Sequence, residues 1–141
     1  MATVADWQSL SHSAISRRQS GDLHGAIEEM TKAISLAKTI PNLAKEASVD
    51  LNYLADMYLE CNALGEAETA IREAIELSRP RFPGLLGDNL LGLAVILRLK
   101  GERREALASA EEARQMYQQE RHSYGVARAE ELIKRIKTDS E

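Results

Sequence analysis

Aromatic residues are scarce in this sequence, with one tryptophan, one phenylalanine and four tyrosines among 141 residues. There are also only 4 valines, whereas alanine and leucine number 20 and 18. Strands prefer β-branched and aromatic side chains, while alanine and leucine favour helices. The three prolines and eight glycines are too few for a fold made mainly of loops. The composition therefore argues against a β-sandwich or a parallel α/β sheet and predicts an all-α protein.

The sequence also has only one cysteine, no net positive charge and no long apolar run. The only cysteine, Cys61, has no partner for an internal disulfide, which is typical of a reducing compartment. The net charge of -4 leaves no general basic face for nucleic acid. The N-terminus lacks the basic start and apolar run of a signal peptide, and the longest nearly pure apolar run, 90–97, is too short to span a bilayer. We therefore expect a cytoplasmic protein that binds neither nucleic acid nor a membrane.

Apolar residues recur at spacings of three and four along most of the chain, which is the pattern of amphipathic helices. The spacing predicts seven helices, at about 4–20, 22–39, 43–61, 64–78, 84–99, 102–119 and 122–137. Their predicted breaks lie at Gly21-Asp22, Pro41-Asn42, Asn62, Pro80 to Pro83, Gly101 and near His122. Glycine and asparagine tolerate the left-handed conformation that ends a helix, and such short connections make consecutive helices antiparallel neighbours.

Alanines recur at the same offsets in three successive helix pairs. The triplets are Ala14, Ala26 and Ala33, then Ala55, Ala67 and Ala74, then Ala94, Ala106 and Ala113. The middle alanines are 41 and 39 residues apart. An alanine on each helix of a hairpin lets the two backbones approach closely, and the third alanine lets the next hairpin stack on it. Such stacking buries a continuous core that no single hairpin could supply.

These frames resemble the tetratricopeptide repeat (TPR) family. The best match is the second frame, with Leu54, Ala55 and Tyr58 on its first helix and Glu66-Ala67 on its second. The resemblance covers about residues 7–119 and implies an all-α, TPR-like α-solenoid of three helical hairpins plus a C-terminal capping helix. The implied repeats fall at about 4–41, 42–81 and 82–120, with the cap at 121–138, in a single domain over 1–141.

The period near 40 residues is longer than that of the usual TPR, which is ~34. It is similar to the longer-helix repeats of kinesin light chains and several bacterial regulators. The first frame departs from the pattern, with Ser13 and Arg17 where a leucine and a tyrosine are usual. A HEAT repeat, with a period of ~40–47 residues, is the structural alternative. The alanine triplets favour the TPR.

Catalytic and cofactor motifs are missing from the sequence. It contains no Gly-x-Gly-x-x-Gly, phosphate loop, His-Glu-x-x-His or Gly-x-Ser-x-Gly motif. The histidines His12, His24 and His122 lie far apart, and none has zinc-ligand spacing to Cys61. We therefore expect a non-enzymatic protein without metal or cofactor, and a reactive His12 or Cys61 is the enzymatic alternative.

In TPR-like stacks the first helix of each hairpin lines an inner groove, so the resemblance implies a binding groove. The candidate contacts are the residues of those helices that fall off the core stripes. They are Ser11, Ile15 and Arg18 on the first helix, Asn52, Tyr53, Asp56 and Glu60 on the third, and Asp88, Leu91, Val95 and Arg98 on the fifth. The same helices also offer Gln8, His12, Gln19, Val49, Gly92 and Leu99.

The chemistry of these candidate contacts points to a protein partner. Asn52 and Tyr53 can form the hydrogen bonds that a peptide backbone requires. Asp56 and Glu60 lie one helical turn apart and face the same way, which favours a partner carrying a Lys or Arg. We therefore expect a non-catalytic adaptor that binds a peptide or helix of another protein.

Leu91 and Val95 leave a structural alternative open. They are apolar at positions where a soluble stack has no obvious reason to bury them. They therefore form either a side-chain pocket or a contact with a second chain. The alternative function is a structural module that self-associates into a homo-oligomer through this apolar inner surface.

Two further expectations concern charge. The TPRs that bind chaperone C-termini hold two carboxylates with Lys, Asn and Arg on their inner helices. The matching positions here are Ser11, Ile15, Tyr53, Asp88 and Gly92, so we expect no such carboxylate clamp. Four cations are predicted at the end of the last helix, where they complement its dipole; a patch for a membrane surface or an acidic partner is the alternative. They are Arg128, Lys134, Arg135 and Lys137.

Overall fold

The computed structural model describes residues 2–139, and within that range the chain forms seven α-helices and no strand. The helices are α1 (Val4–Gln19), α2 (Leu23–Ala37), α3 (Ala44–Glu60), α4 (Leu64–Ser78), α5 (Pro83–Leu99), α6 (Arg103–Gln119) and α7 (Ser123–Thr138). Every predicted helix is present, and each end lies within two residues of its predicted position. The all-α prediction is therefore confirmed, whereas the limits of the individual repeats stay a prediction.

The turns between helices use the left-handed conformation that the sequence predicts. The residues with positive φ are Gly21, Asn42, Asn62, Gly101 and Arg121. Each one follows the end of a helix, where this conformation lets the chain reverse. The turn between α4 and α5 is different, because it is built from the predicted proline segment. Its second proline is the first residue of α5, where the missing N–H costs no helical hydrogen bond.

Arg121 is the exception among these turn residues, because it is neither glycine nor asparagine and its side chain disfavours a φ of 54°. We expect Arg121→Gly to raise the free energy of unfolding by about 0.5–1 kcal/mol, since the relief of backbone strain exceeds the added flexibility of the unfolded chain. Urea unfolding followed by circular dichroism measures the change. Asn42→Gly is the control, because asparagine already tolerates a φ of 70°. It should change the free energy of unfolding by less than about half as much as Arg121→Gly does. A loss of stability in Arg121→Gly would contradict the strain argument.

The repeated alanines lie where the helices cross. All nine are at most 2% exposed, and they belong to the main core. Consecutive helices pack against each other throughout, and α3 also contacts α5, which in turn contacts α7. The first helices of successive hairpins therefore lie side by side and form one layer, while α2, α4 and α6 form the other. This is the solenoid arrangement that the alanine spacing predicts.

The last helix is attached to the hairpin before it through its C-terminal end. Arg103 of α6 donates from Nε to the carbonyl oxygen of Ile136 at 3.1 Å and from Nη2 to that of Lys137 at 3.2 Å. These carbonyls belong to the final turn of α7, where few backbone N–H groups remain to donate to them. α7 therefore covers the end of the stack, as a capping helix does. None of the helices described is long and apolar enough to cross a membrane.

Candidate protein-binding groove

A groove of about 380 Å³ lies between α3 and α5, the first helices of the second and third hairpins. We call it the α3–α5 groove. Its lining residues are Val49, Asn52, Tyr53, Asp56 and Leu59 of α3, Leu85, Asp88, Asn89, Leu91, Gly92 and Val95 of α5, and Arg128 of α7. Six of the eleven predicted contacts are among them. The groove therefore brings together six of the α3 and α5 candidates, while Glu60, Arg98 and the three candidates of α1 do not line it.

Ser11 was expected to lie off the core, and this expectation is wrong. The side chain is buried, and its hydroxyl donates to Oδ1 of Asp50 at 3.2 Å. Trp7 donates from Nε1 to the other carboxylate oxygen of Asp50 at 2.8 Å. Burial raises the pKa of Asp50, and these two hydrogen bonds oppose that rise by favouring the charged form. This cluster fixes α1 to α3, so Ser11 is engaged in structure, as is the half-buried Ile15 that packs on the core.

Glu60 does not form a free carboxylate pair with Asp56, because Arg18 of α1 binds it. The Nε atom of Arg18 lies 2.7 Å from Oε1 of Glu60, and Nη2 contacts the same oxygen. Arg98 is engaged in a similar way, since its Nε and Nη2 atoms lie 2.7 and 3.0 Å from the two carboxylate oxygens of Asp139. The predicted contacts Arg18, Glu60 and Arg98 are therefore already neutralised within the chain. A ligand would have to break these ion pairs to use them.

Asp56 keeps its charge free in the α3–α5 groove. Its side chain is exposed and has no ion-pair partner in the part of the chain that the structure describes. Even so, the atoms of the groove walls crowd its carboxyl, and this desolvation raises its pKa. The charge of Arg18 lowers the pKa, that of Glu60 raises it and that of Arg128 lowers it. A partially desolvated carboxylate of this kind gains more from a bound cation than one in open solvent.

Asp88 supplies the second free carboxylate of the groove, in place of Glu60. It accepts a hydrogen bond from the hydroxyl of Tyr117, a buried residue of α6. The Tyr117 ring lies against two glycines, and a Cβ atom built on Gly125 would be 2.3 Å from it, while one on Gly87 would be 3.1 Å away. Burial, followed by the hydrogen bond to Asp88 and then by the charge of Asp88, raises the pKa of Tyr117 well above its ordinary value. The phenol therefore stays protonated and holds Asp88 in place.

A buried amide network supports the wall of the groove. The two N–H groups on Nδ2 of Asn89 are shared among three acceptors, Oγ of Ser48 at 3.0 Å, Oγ of Ser78 at 3.1 Å and the carbonyl oxygen of Ala74 at 3.2 Å. Oδ1 of Asn89 accepts from Nδ2 of Asn52 at 2.7 Å. The network thus joins α3, α4 and α5 and fixes Asn52, one of the predicted contacts. The sequence analysis missed Asn89, although an asparagine in the most apolar helix of the chain is a signal for such a network.

The apolar floor of the groove is less exposed than predicted. Leu91 is only 5% exposed, so the expectation that nothing in the stack would bury it is wrong. The reason is that α5 packs against α7 as well as against α6, and Leu91 belongs to the main core together with Leu132 of α7. Val95 is half-buried and packs on that core. The pair forms a shallow floor with little apolar surface available to solvent.

Arg128 occupies a place that the sequence analysis did not predict. It was expected at the end of the last helix, but α7 begins at Ser123, so Arg128 lies in its second turn. There it lines the α3–α5 groove, and its guanidinium lies over the ring of Tyr124 at 5.7 Å from the ring centre. A second groove of about 490 Å³, the α5–α7 groove, continues past it. Leu91, Val95 and Arg128 line both grooves, which are therefore continuous.

No known protein family and no curated protein matches the sequence. Among solved structures, the chain is similar to the apo form of RapI, with a TM-score of 0.89 and 9% identity over 95% of this chain and 37% of RapI. It is also similar to BtubC from P. vanneervenii, with a TM-score of 0.73 and 16% identity over 94% of this chain and 62% of BtubC.

A third similar structure is a putative kinesin light chain from Podosopora anserina with nearly identical TPR-like repeats. The TM-score is 0.64 and the identity 16%, over 99% of this chain and 79% of that one. The chain thus spans less than two thirds of RapI and of BtubC. At these identities the likeness concerns the fold. The chain folds as a TPR-like helical-repeat solenoid, the architecture that its repeated alanines predict.

Proposed function

We propose that this protein is a non-catalytic interaction module that binds a peptide or helix of another protein in the α3–α5 groove. The observation that carries the proposal is the pair of carboxylates, Asp56 and Asp88, beside the floor of Leu91 and Val95. Neither carboxylate has an ion-pair partner among residues 2–139. Binding sites combine apolar walls with a few fixed polar groups in this way. The partner is therefore a segment with a basic residue.

The rigidity of the groove supports this proposal. Asn52 is held by Asn89, and Asp88 is held by Tyr117, so two of its polar groups are fixed before any ligand arrives. Preorganised groups lose little conformational entropy on binding, and affinity rises accordingly. Stacked helical hairpins commonly present such grooves to peptides and helices. The TPR-like fold of the chain agrees with a role of this kind.

The alternative of self-association stays a prediction with less to support it. It depends on an apolar inner surface, and Leu91 contributes little to that surface because it is buried within its own chain. Light scattering at micromolar concentrations measures the mass of the free protein. A monomer agrees with the interaction module, whereas a stable dimer that Val95→Asp dissociates would favour self-association.

Neutralising the two free carboxylates tests the proposed function. Random twelve-residue peptides are displayed on a phage capsid protein that leaves their C-termini free, selected on the wild-type protein and resynthesised. Asp56→Asn with Asp88→Asn keeps the shape of the groove and an oxygen that accepts from Tyr117. We expect this double variant to bind the selected basic peptides at least about tenfold more weakly, which corresponds to a loss of ~1.4 kcal/mol. Isothermal titration calorimetry measures the affinities.

The control is a second double variant, which removes the same number of negative charges from the layer formed by α2, α4 and α6. Glu66→Gln with Glu76→Gln removes two exposed carboxylates of α4 and should leave the affinity within a factor of two or so. If both double variants weaken binding equally, the effect is one of overall charge. Selected peptides that bind the Asp56→Asn, Asp88→Asn variant as tightly as the wild type would refute the groove as the binding site.

A further inference from the structure

The continuous groove along α5 carries charges of both signs that the chain leaves unpaired. Within residues 2–139, the charged lining residues without an ion-pair partner are Asp56, Asp88 and Arg128. The other charged lining residues, Arg98, Glu131 and Arg135, are engaged in ion pairs, as are Arg18 and Glu60 beside the groove. The pairs are Arg18 with Glu60, Arg98 with Asp139 and Arg135 with Glu131. An incoming ligand therefore meets two free anions and one free cation.

These free charges line two grooves that are continuous with each other. Asp56 and Asp88 line only the α3–α5 groove, whereas Arg128 lines both grooves and so lies where they meet. Leu91 and Val95 also line both grooves. A segment bound along α5 thus meets two anions, an apolar floor and a cation on one continuous surface.

Arg128 is placed to bind an anion from outside the chain. Its guanidinium lies over the ring of Tyr124, which is 70% exposed, and this contact favours one orientation of the long side chain. Stacking on an aromatic face leaves the N–H groups at the edge of the guanidinium free. Those groups match the two oxygens of a carboxylate, which arginine binds through two parallel hydrogen bonds.

We propose that the natural ligand of this groove is a dipolar peptide segment. Its Lys or Arg side chain binds at the free carboxylates of the α3–α5 groove, its carboxylate pairs with Arg128, and an apolar side chain lies on the floor of the groove. The inference rests on the proposed function, because it assigns a second charge to the ligand of the same groove. It adds a requirement that a basic residue alone does not meet. The carboxylate belongs to an Asp, to a Glu or to the C-terminus of the partner.

Arg128 could instead serve only as an internal counter-charge for the two aspartates, and the two roles predict opposite results. A counter-charge competes with a basic ligand, so its removal strengthens binding. An anion-binding Arg128 holds the ligand, so its removal weakens binding. The sign of the effect of Arg128→Gln on peptide affinity therefore separates the two roles. Double-mutant cycles isolate the contact itself.

The test uses the peptides that the same random library yields on the wild-type protein. We expect them to share a Lys or Arg and a carboxylate at a constant separation. Arg128→Gln should weaken the binding of such a peptide about tenfold. A peptide in which that carboxylate is replaced by its amide should bind the wild type equally weakly, and the variant should not distinguish the two peptides. Comparing Glu→Gln with C-terminal amidation identifies which carboxylate Arg128 binds.

Lys134→Glu is the matched control for a charge reversal on α7. Lys134 is exposed and lies outside both grooves, so a library selected on this variant should return the same basic and acidic pattern. Selection on Arg128→Glu should return peptides with a second basic residue in place of the acid. If Arg128→Gln leaves affinity unchanged or raises it, the dipolar ligand is refuted while the proposed function stands. If no selected peptide depends on Asp56 and Asp88, the proposed function itself fails.

Discussion

Replacing Asn89 by alanine should lower the free energy of unfolding by about 3 kcal/mol. The variant removes four hydrogen bonds at the centre of the α3, α4 and α5 packing and leaves a cavity of amide size. Ser48 and Ser78 are buried, so no solvent replaces the lost donor. Urea unfolding followed by circular dichroism measures the change. A loss below about 1 kcal/mol would contradict the central place of this network, because a single exposed hydrogen bond contributes as much.

Two further variants separate the unsatisfied polar groups from the cavity. Asn52→Ala removes one hydrogen bond at a half-buried position, where water can replace it, so it should cost about 1 kcal/mol or less. Asn89→Leu combined with Ser48→Ala and Ser78→Ala replaces the three buried polar side chains of the network by apolar ones. This triple variant should be more stable than Asn89→Ala, since few polar groups are left without partners. Equal stability of the two would show that the cavity alone sets the cost.

Replacing Tyr117 by alanine should lower the free energy of unfolding by about 4 kcal/mol, within the range for large aromatic side chains in cores. The ring packs between Gly87 of α5 and Gly125 of α7, so its loss weakens both contacts of α6 at once. Tyr117→Phe keeps the ring and loses only the hydrogen bond to Asp88, which should cost about 1–2 kcal/mol. Urea unfolding measures both variants. A similar cost for the two would mean that the hydroxyl, and not the ring, joins the helices.

The substitution Gly125→Ala tests the same contact independently, because its effect on stability should reverse when the Tyr117 ring is absent. In the wild type, Gly125→Ala should destabilise, because the new Cβ would be 2.3 Å from the Tyr117 ring and the ring would have to move. In the Tyr117→Ala background the same substitution should stabilise by up to about 1 kcal/mol, as alanine is the better helix former. Gly65→Ala on α4 is the control, because a Cβ there meets nothing within 4 Å. A cost of Gly125→Ala that persists without the ring would refute the contact.

The sequence predicts the helices and their stacking well for a simple physical reason. Glycine or asparagine follows most helix ends, and those residues adopt the left-handed turn that local sterics deny to others. Arg121 lacks this signal, and the corresponding break was the weakest in the pattern. The alanine triplets predict contacts between helices that are farther apart in the sequence, since only small side chains fit where two helices cross closely. Helix ends and crossings are therefore encoded by the residues that form them.

The site was predicted less completely because its polar partners lie in different hairpins. Helix register was enough to place Asn52, Tyr53 and Asp56 together. It could not show that Arg18 binds Glu60 or that Ser11 binds Asp50, since each pair joins two hairpins. These partners are 42 and 39 residues apart, close to the repeat period itself.

Other interactions that were not predicted from the sequence also join residues about one repeat period apart. Asn89 and Ser48 are 41 residues apart, as are Arg98 and Asp139. In a solenoid, residues one period apart occupy equivalent places on neighbouring helices, so they are natural partners. Pairing complementary polar residues at that separation would have found these contacts. The same rule relates Asp88 to Arg128, which are 40 residues apart and line the same groove.

Backbone amide NMR of the isotope-labelled full chain, titrated with a peptide selected from the random library, tests the binding groove most directly. The groove predicts that shifts concentrate on α3 and α5, at Asn52, Tyr53, Asp56, Asp88 and Gly92, with a further shift at Arg128 of α7. It predicts little change on the solvent-facing sides of α4 and α6. Shifts confined to those outer helices, or spread evenly over the surface, would contradict a binding groove between α3 and α5.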